Sequence, residues 1–224
     1  MVLIAPSLLA ADFARLGEAL RLIEEAGASL VHVDVMDGHF VPDISVGQPV
    51  VRSLRKATKL ALDLHLLIER PERYVPEFLE IGADRMAVHA EATPNLHKAL
   101  GMIRTGGARA GLALNLSTAV ESVSDALEEV DYLLILSTDL GFASSAFVPR
   151  TLSKVRTACA LRRERRLDFA IQVEGGISLD QIEALGEAGA DILVAGSDIF
   201  QKDPKARLVE MMRLAASSRQ VSRV

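Results

Sequence analysis

Four stretches of the chain repeat one pattern: EEAGASLVHVDV (24–35), EIGADRMAVHAE (80–91), RTGGARAGLALN (104–115) and GEAGADILVAGS (186–197). In each, an amphipathic run ends in Gly-Ala and an apolar run follows within a few residues. A glycine just past a helix takes the left-handed conformation without a Cβ clash, so it stops the helix and turns the chain. The β-branched and leucine-rich run after it predicts a strand buried on both faces. The glycines at 27, 82, 107 and 189 are spaced near multiples of about 27 residues, a length that fits one strand–helix unit. At that length, 224 residues hold about eight units. Eight candidate strands fill the schedule: VLIAPS, LVHVDV, LALDLHLL, RMAVHA, RAGLALN, YLLILS, FAIQVE and DILVAG. Helical patterns such as ARLGEALRLIEEA and SLDQIEALGEA lie between them. The expected fold is α/β, a closed (β/α)8 barrel, because an open doubly wound sheet normally uses fewer strands.

Composition narrows the classes of function. One barrel domain is expected over residues 1–216, with the polar SSRQVSRV (217–224) as a frayed tail. A net charge of −5 argues against a general nucleic-acid or anionic-membrane binder, so neither partner is expected. The apolar N-terminus lacks a basic leader and Asp12 and Arg15 interrupt it early, so neither signal peptide nor membrane span is read. A cytoplasmic protein is expected. The single cysteine, Cys159, excludes an internal disulfide framework and reads as a small apolar residue packed in a helix.

A barrel's chemistry lies at the carboxyl ends of its strands. Side chains two apart on a strand share a face. His32 with Asp34, Asp63 with His65, and Gln172 with Glu174 therefore point inward, opposite valines and leucines that pack under helices. His32, Asp34, His65 and Glu174 would face one another from three strands. Neutral imidazoles and anionic oxygens suit a divalent transition metal, with open positions for substrate oxygens. A buried carboxylate also needs compensating charge, which a metal supplies. A single buried histidine is satisfied by ordinary hydrogen bonds; four such residues at strand ends point to a site. His89 and Glu91 alternate in the same way on a fourth strand, where a supporting or substrate-contact role and a structural one are both open. His39 reads as loop surface and His97 as a solvated helix face.

Gly175 and Gly176 follow the seventh strand, and Gly196 and Ser197 follow the eighth before a helix-like segment. Glycines admit backbone amides close to an anion, and a helix N-terminus adds positive potential. Both pairs lie in the loops where such barrels often hold a phosphate. GFASS (141–145), after strand six, would close the same pocket.

With APSLLAADF, HVDVMDGHFVPDISVG, LDLHLLIERPERY, HAEA, GFASSAF, VEGGI and AGADILVAGSDIF, the chain resembles the ribulose-phosphate 3-epimerase family over nearly its whole length. The resemblance implies a TIM barrel of the ribulose-phosphate-binding type that interconverts D-ribulose 5-phosphate and D-xylulose 5-phosphate with one divalent ion, Zn, Fe, Mn or Co. It implies a place in the pentose phosphate pathway and a homo-oligomer. It assigns His32, Asp34 and His65 as metal ligands, with Asp34 also an acid/base group. It further assigns Ser7, Met36, His65, Ser144, Gly175, Gly176, Gly196 and Ser197 to the substrate.

The departures from the family pattern cluster at the same pocket. Glu174 stands for an aspartate in a V-D-G-G motif, and LGFASS for P-G-F-G-G-Q. Leu67 and Leu136 stand for methionines, and Asn115-Leu116 for N-P. Epimerisation at C3 needs two acid/base groups, one on each face, and stabilisation of the enediolate between them. Asp34 and Glu174 are the expected pair, with Glu174 also the fourth metal ligand. The alternatives are a 3-epimerase for a related ketose phosphate and a barrel that binds a sugar phosphate without turning it over. No lysine falls at a predicted strand end, which argues against a Schiff-base aldolase.

Overall fold

The computed structural model describes residues 2–139, 146–201 and 203–218. All eight expected strands form: β1 (Leu3–Pro6), β2 (Leu30–Met36), β3 (Ala61–Leu67), β4 (Arg85–His89), β5 (Arg109–Leu114), β6 (Tyr132–Leu136), β7 (Ala170–Glu174) and β8 (Ile192–Ala195). They make one parallel sheet in the order β1-β8-β7-β6-β5-β4-β3-β2. A parallel bridge between Ser7 and His32 brings its two edges together into a (β/α)8 barrel.

Helices alternate with the strands: α1 (Leu16–Ala26), α2 (Gln48–Ala57), α3 (Val75–Ile81), α4 (Leu96–Thr105), α5 (Thr151–Glu164), α6 (Leu179–Ala188) and α7 (Pro204–Ser218). The repeated glycines act as expected, since Gly27, Gly82, Gly107 and Gly189 all have φ between 88° and 109°. The β5–β6 connection instead carries a 3-10 segment, Val120–Glu129, kinked at Val123. Ser122 there donates its hydroxyl to the Ala119 carbonyl, the local competition by which serine discourages a regular α-helix. Residues 217 and 218, expected in the polar tail, instead belong to α7, where Ser218 is buried. The expected tail beyond them lies outside the described residues.

Alternation along the strands makes two cores. Val31, Val33, Val35, Leu62, Leu64 and Leu66 join the large apolar layer between sheet and helices. Inside the barrel, Ala5, Leu30, Ile192 and Val194 form one small cluster, and Ala87, Ala113, Tyr132 and Leu134 another. A buried polar knot fills the remaining interior. Asp63 Oδ1 accepts from Arg85 Nε and from the Tyr132 hydroxyl, each at 3.0 Å, and Oδ2 accepts from Gln172 Nε2 at 2.7 Å. Arg85 also donates to Gln172 Oε1 at 2.8 Å, and its guanidinium lies 4.0 Å from the centre of the Tyr132 ring. Tyr132 fits because its neighbour on β5 is Gly111, where a Cβ would stand 2.3 Å from the ring. A buried carboxylate and guanidinium persist only with such compensation.

Candidate active site

Parallel register sets the site. On β2 and β3, His32 lies beside Asp63 and Asp34 beside His65, so at each of the two levels one strand offers an imidazole and the other a carboxylate. Glu174 ends β7, across the mouth. Side-chain ligand atoms of His32, Asp34, His65 and Glu174 lie within 4.8 Å of one another. Asp34 Oδ1 is 3.3 Å from His32 Nε2 and 3.1 Å from His65 Nδ1. Glu174 Oε2 is 3.3 Å from His32 Nε2 and 3.0 Å from His65 Nδ1. The glutamate, one methylene longer than the aspartate that the resemblance leads one to expect, reaches this focus.

His32, Asp34 and His65 each have support behind them. His32 Nδ1 lies 2.8 Å from Asp63 Oδ2. Ser7 donates its hydroxyl to Asp34 Oδ2 at 2.8 Å. The Ser45 hydroxyl donates to the Asp34 carbonyl at 2.6 Å and accepts the Met36 amide at 3.0 Å. His65 Nε2 lies 2.9 Å from His89 Nε2, and His89 Nδ1 lies 3.0 Å from Glu91 Oε2.

The electrostatics favour a cation at the focus. Burial opposes a charge on His32, yet the Glu174 and Asp34 carboxylates outweigh it and hold the imidazole well above its usual range. Burial opposes the charge on His65 too, but Glu174 and Asp34 raise it to about 9. Asp34, despite burial, is held well below the usual carboxylate range by the two imidazoles. Burial dominates at His89, lowering it to about 4, while Glu91 overcomes its own burial through bonds from His89 and Thr118 and falls to about 2.

The donor set passes the test for a divalent ion. Among the described residues, buried His32 Nε2 and Glu174 Oε2 have no hydrogen-bond partner, and both aim at the focus. Two imidazolium protons and one divalent ion carry the same charge, so exchanging one for the other leaves the cluster balanced.

A cavity of about 180 Å³ opens beside this cluster, lined by Ser7, Glu174, Gly175, Gly176, Gly196 and Ser197 among others. Six of the expected site residues thus share one space. Gly175 has φ 112°, and a Cβ there would meet the Thr138 hydroxyl at 2.5 Å and its backbone nitrogen at 3.0 Å, so only glycine fits. The segment after Gly196 differs from expectation. It is a single turn, with the Ile199 and Phe200 amides donating to the Gly196 carbonyl, and α7 begins only at Pro204. Anion binding there would draw on loop amides rather than a helix dipole. Met36 closes β2 and is partly buried at the mouth. Ser144 and the GFASS loop lie outside the described residues. His39 is exposed, as is His97, which pairs with Glu129 at 2.7 Å.

Sequence reasoning missed the supporting cast. The sequence pattern turns Asp63 and Gln172 inward without giving them a role, and nothing in it marks Arg85 and Tyr132, which open their strands. Asp37 also escaped it: Oδ1 accepts the His39 and Phe40 amides, and Oδ2 accepts the Glu69 amide, tying the β2 loop to the β3 loop. The Asp-Gly-His sequence carries the turn signal that identifies such a residue.

The comparisons with known proteins agree with this geometry. The family described as "Ribulose-phosphate 3 epimerase family" matches residues 3–200. Among curated relatives, the ribulose-phosphate 3-epimerase of Bacillus subtilis (strain 168) is 39% identical, covering 95% of this chain and 99% of the relative. That of Mycobacterium leprae is 44% identical, covering 96% of each. In solved structures the same barrel recurs at low identity, as in KGPDC from Streptococcus mutans, with TM-score 0.72, 15% identity and coverage of 96% of this chain and 98% of that one. The thiamine phosphate pyrophosphorylase from Pyrococcus furiosus gives TM-score 0.68 at 16% identity, over 97% of this chain and 96% of that one. Those two likenesses speak to the fold alone. The profile match and the two identities over almost the full chain do more: the chain belongs to the ribulose-phosphate 3-epimerase family.

Proposed function

We propose that the chain epimerises a ketose phosphate at C3, with D-ribulose 5-phosphate and D-xylulose 5-phosphate as the pair it interconverts. The observation that carries this reading is the buried meeting of Asp34, Glu174, His32 and His65 at the barrel mouth. C3 carries a proton next to a ketone, so one carboxylate removes it from one face and the other returns a proton to the opposite face. The two exchange roles when the reaction runs backwards. Asp34 is held in place for this by Ser7 and by the Ser45 clamp on its backbone. Glu174 reaches from β7, the strand that leads into the cavity. His32, Asp34, His65 and Glu174 would hold one divalent ion, of the Zn, Fe, Mn or Co class. Bound there, it supplies Lewis acidity that stabilises negative charge on the substrate oxygens. The amides around Gly175, Gly176, Gly196 and Ser197 would receive the phosphate, and Ser7 and Met36 line the approach of the sugar.

One domain carries the whole activity. It works in carbohydrate metabolism in the cytoplasm, as a homo-oligomer. Exposed Leu9, Phe13 and Ile44 supply apolar surface for self-association. Among the described residues no helix is long and apolar enough to cross a membrane.

A second reading has its own support. Leu136 pairs with Glu174 in the β6–β7 register and Leu67 with Met36 in the β2–β3 register, so two departures from the family pattern border the catalytic groups. That favours a related ketose phosphate as an alternative substrate. Incubation with D-ribulose 5-phosphate and a divalent ion in D₂O, followed by NMR at C3, tests both. Deuterium entering C3 together with xylulose 5-phosphate is expected. Exchange with retained configuration would mean that one carboxylate is misplaced. Neither signal from this substrate, with turnover of another ketose phosphate, would favour the second reading.

A further inference from the structure

The groups behind His65 form a chain whose proton positions can be deduced. Glu91 Oε1 accepts the Asn115 amide at 2.9 Å and the Thr118 hydroxyl, and Oε2 faces His89 Nδ1 at 3.0 Å. An ionised carboxylate only accepts, so the His89 hydrogen sits on Nδ1. A neutral imidazole protonated there has a lone pair on Nε2, and His89 Nε2 lies 2.9 Å from His65 Nε2. That contact needs one hydrogen, which must come from His65. Once a metal displaces the extra proton of the metal-free cluster, the free lone pair of His65 is on Nδ1, the atom 3.1 Å from Asp34 Oδ1 and 3.0 Å from Glu174 Oε2. The relay cannot swivel. His89 is fully buried, stacks on His65 with centroids 5.0 Å apart, and packs against the Phe40 ring at 4.9 Å. His32 shows the same device in one step, with Asp63 at Nδ1 and Nε2 left for the focus.

We propose that Glu91 and His89 are positioning residues that fix the tautomer of His65, so that it offers Nδ1 to a divalent ion at the Asp34–Glu174 focus. This rests on the metal centre of the proposed function. Acceptors behind a ligating imidazole commonly set its orientation and basicity, and losing one costs about 10–100-fold in metal affinity. Glu91→Gln should do more than weaken the support. Its amide nitrogen would donate to His89 Nδ1, drive the His89 hydrogen onto Nε2, and push the His65 hydrogen onto Nδ1, where it blocks the ligand position.

The test uses zinc(II) as the probe and two readouts. Zinc affinity is measured by chelator competition for the natural protein and for Glu91→Gln. ¹⁵N NMR of histidine-labelled, zinc-loaded protein reports which ring nitrogen of His65 is protonated. The expected result is His65 bound through Nδ1 with hydrogen on Nε2, and affinity lower by about 10–100-fold in Glu91→Gln. Glu91→Asp, which keeps an acceptor, should retain the His65 pattern. Zinc bound through His65 Nε2 in the natural protein would overturn the relay without recourse to any variant. Unchanged affinity and tautomer in Glu91→Gln would also overturn it while leaving the metal centre intact. A natural protein that binds no zinc, manganese, cobalt or iron would bring down the metal centre and the relay together.

Discussion

Glu174 stands where the resemblance leads one to expect an aspartate, and its geometry decides what that change means. Oε2 already lies 3.0 Å from His65 Nδ1 and 3.3 Å from His32 Nε2, so the backbone of β7 suits the longer side chain. Shortening it would withdraw the carboxylate, and a displacement of about 1 Å costs roughly 100-fold in catalysis. Glu174→Asp should therefore lower kcat/KM by a factor of that order, as steady-state assays on the epimerase substrate would read. The imidazoles make a second prediction. His65 is raised to about 9 and His32 also lies well above its ordinary value, so both carry an extra proton at neutral pH in metal-free protein. A metal must displace those protons, and binding at pH 7 should release about two of them. Affinity should then weaken as pH falls below about 9, because protons compete better. Calorimetry in buffers of different ionisation enthalpy measures the release. The four central residues were legible in the sequence because strand alternation alone turns them inward. The knot of Asp63, Arg85, Tyr132 and Gln172 was not, although alternation turns Asp63 and Gln172 inward too, because which levels of different strands meet inside a barrel depends on its stagger, and no local pattern encodes that.

Among the elements, all eight strands were legible to within a residue at each end: β2, β4, β5 and β8 because a Gly-Ala joint needs a left-handed residue just where a helix must stop, the others from their apolar runs alone. The β5–β6 connection was less so. Its Ser122 hydroxyl satisfies the Ala119 carbonyl locally, and a 3-10 segment stands where the barrel schedule predicts an α-helix. β5 and β6 also show how one strand makes room for another's side chain. Gly111→Ala would drive a methyl into the Tyr132 ring, which is fully buried and cannot turn aside. Overpacking of this kind costs about 1–3 kcal/mol. Chemical denaturation should show that loss. The displaced hydroxyl would also release Asp63, so zinc affinity should fall with it through His32.

At the scale of the molecule, stability depends on the last helix meeting the first strand. α7 packs on α1, α6 and β1, and presents buried Leu208, Met211 and Ala215 to them. Met211→Ala should destabilise the whole barrel by about 2–5 kcal/mol, the usual cost of a large-to-small change in a core. A thermal melt followed at the far-UV signal should remain a single transition, shifted down. β1 and β2 share no ladder among the described residues; Ser7 and His32 alone bridge them. Ser7 also grips Asp34, and His32 faces both Asp34 and Glu174. The latch that shuts the cylinder is thus made from the working parts of the mouth. A molecule whose seam has parted has also lost the Ser7 hydroxyl that holds Asp34, so shutting the cylinder and setting the acid are a single event.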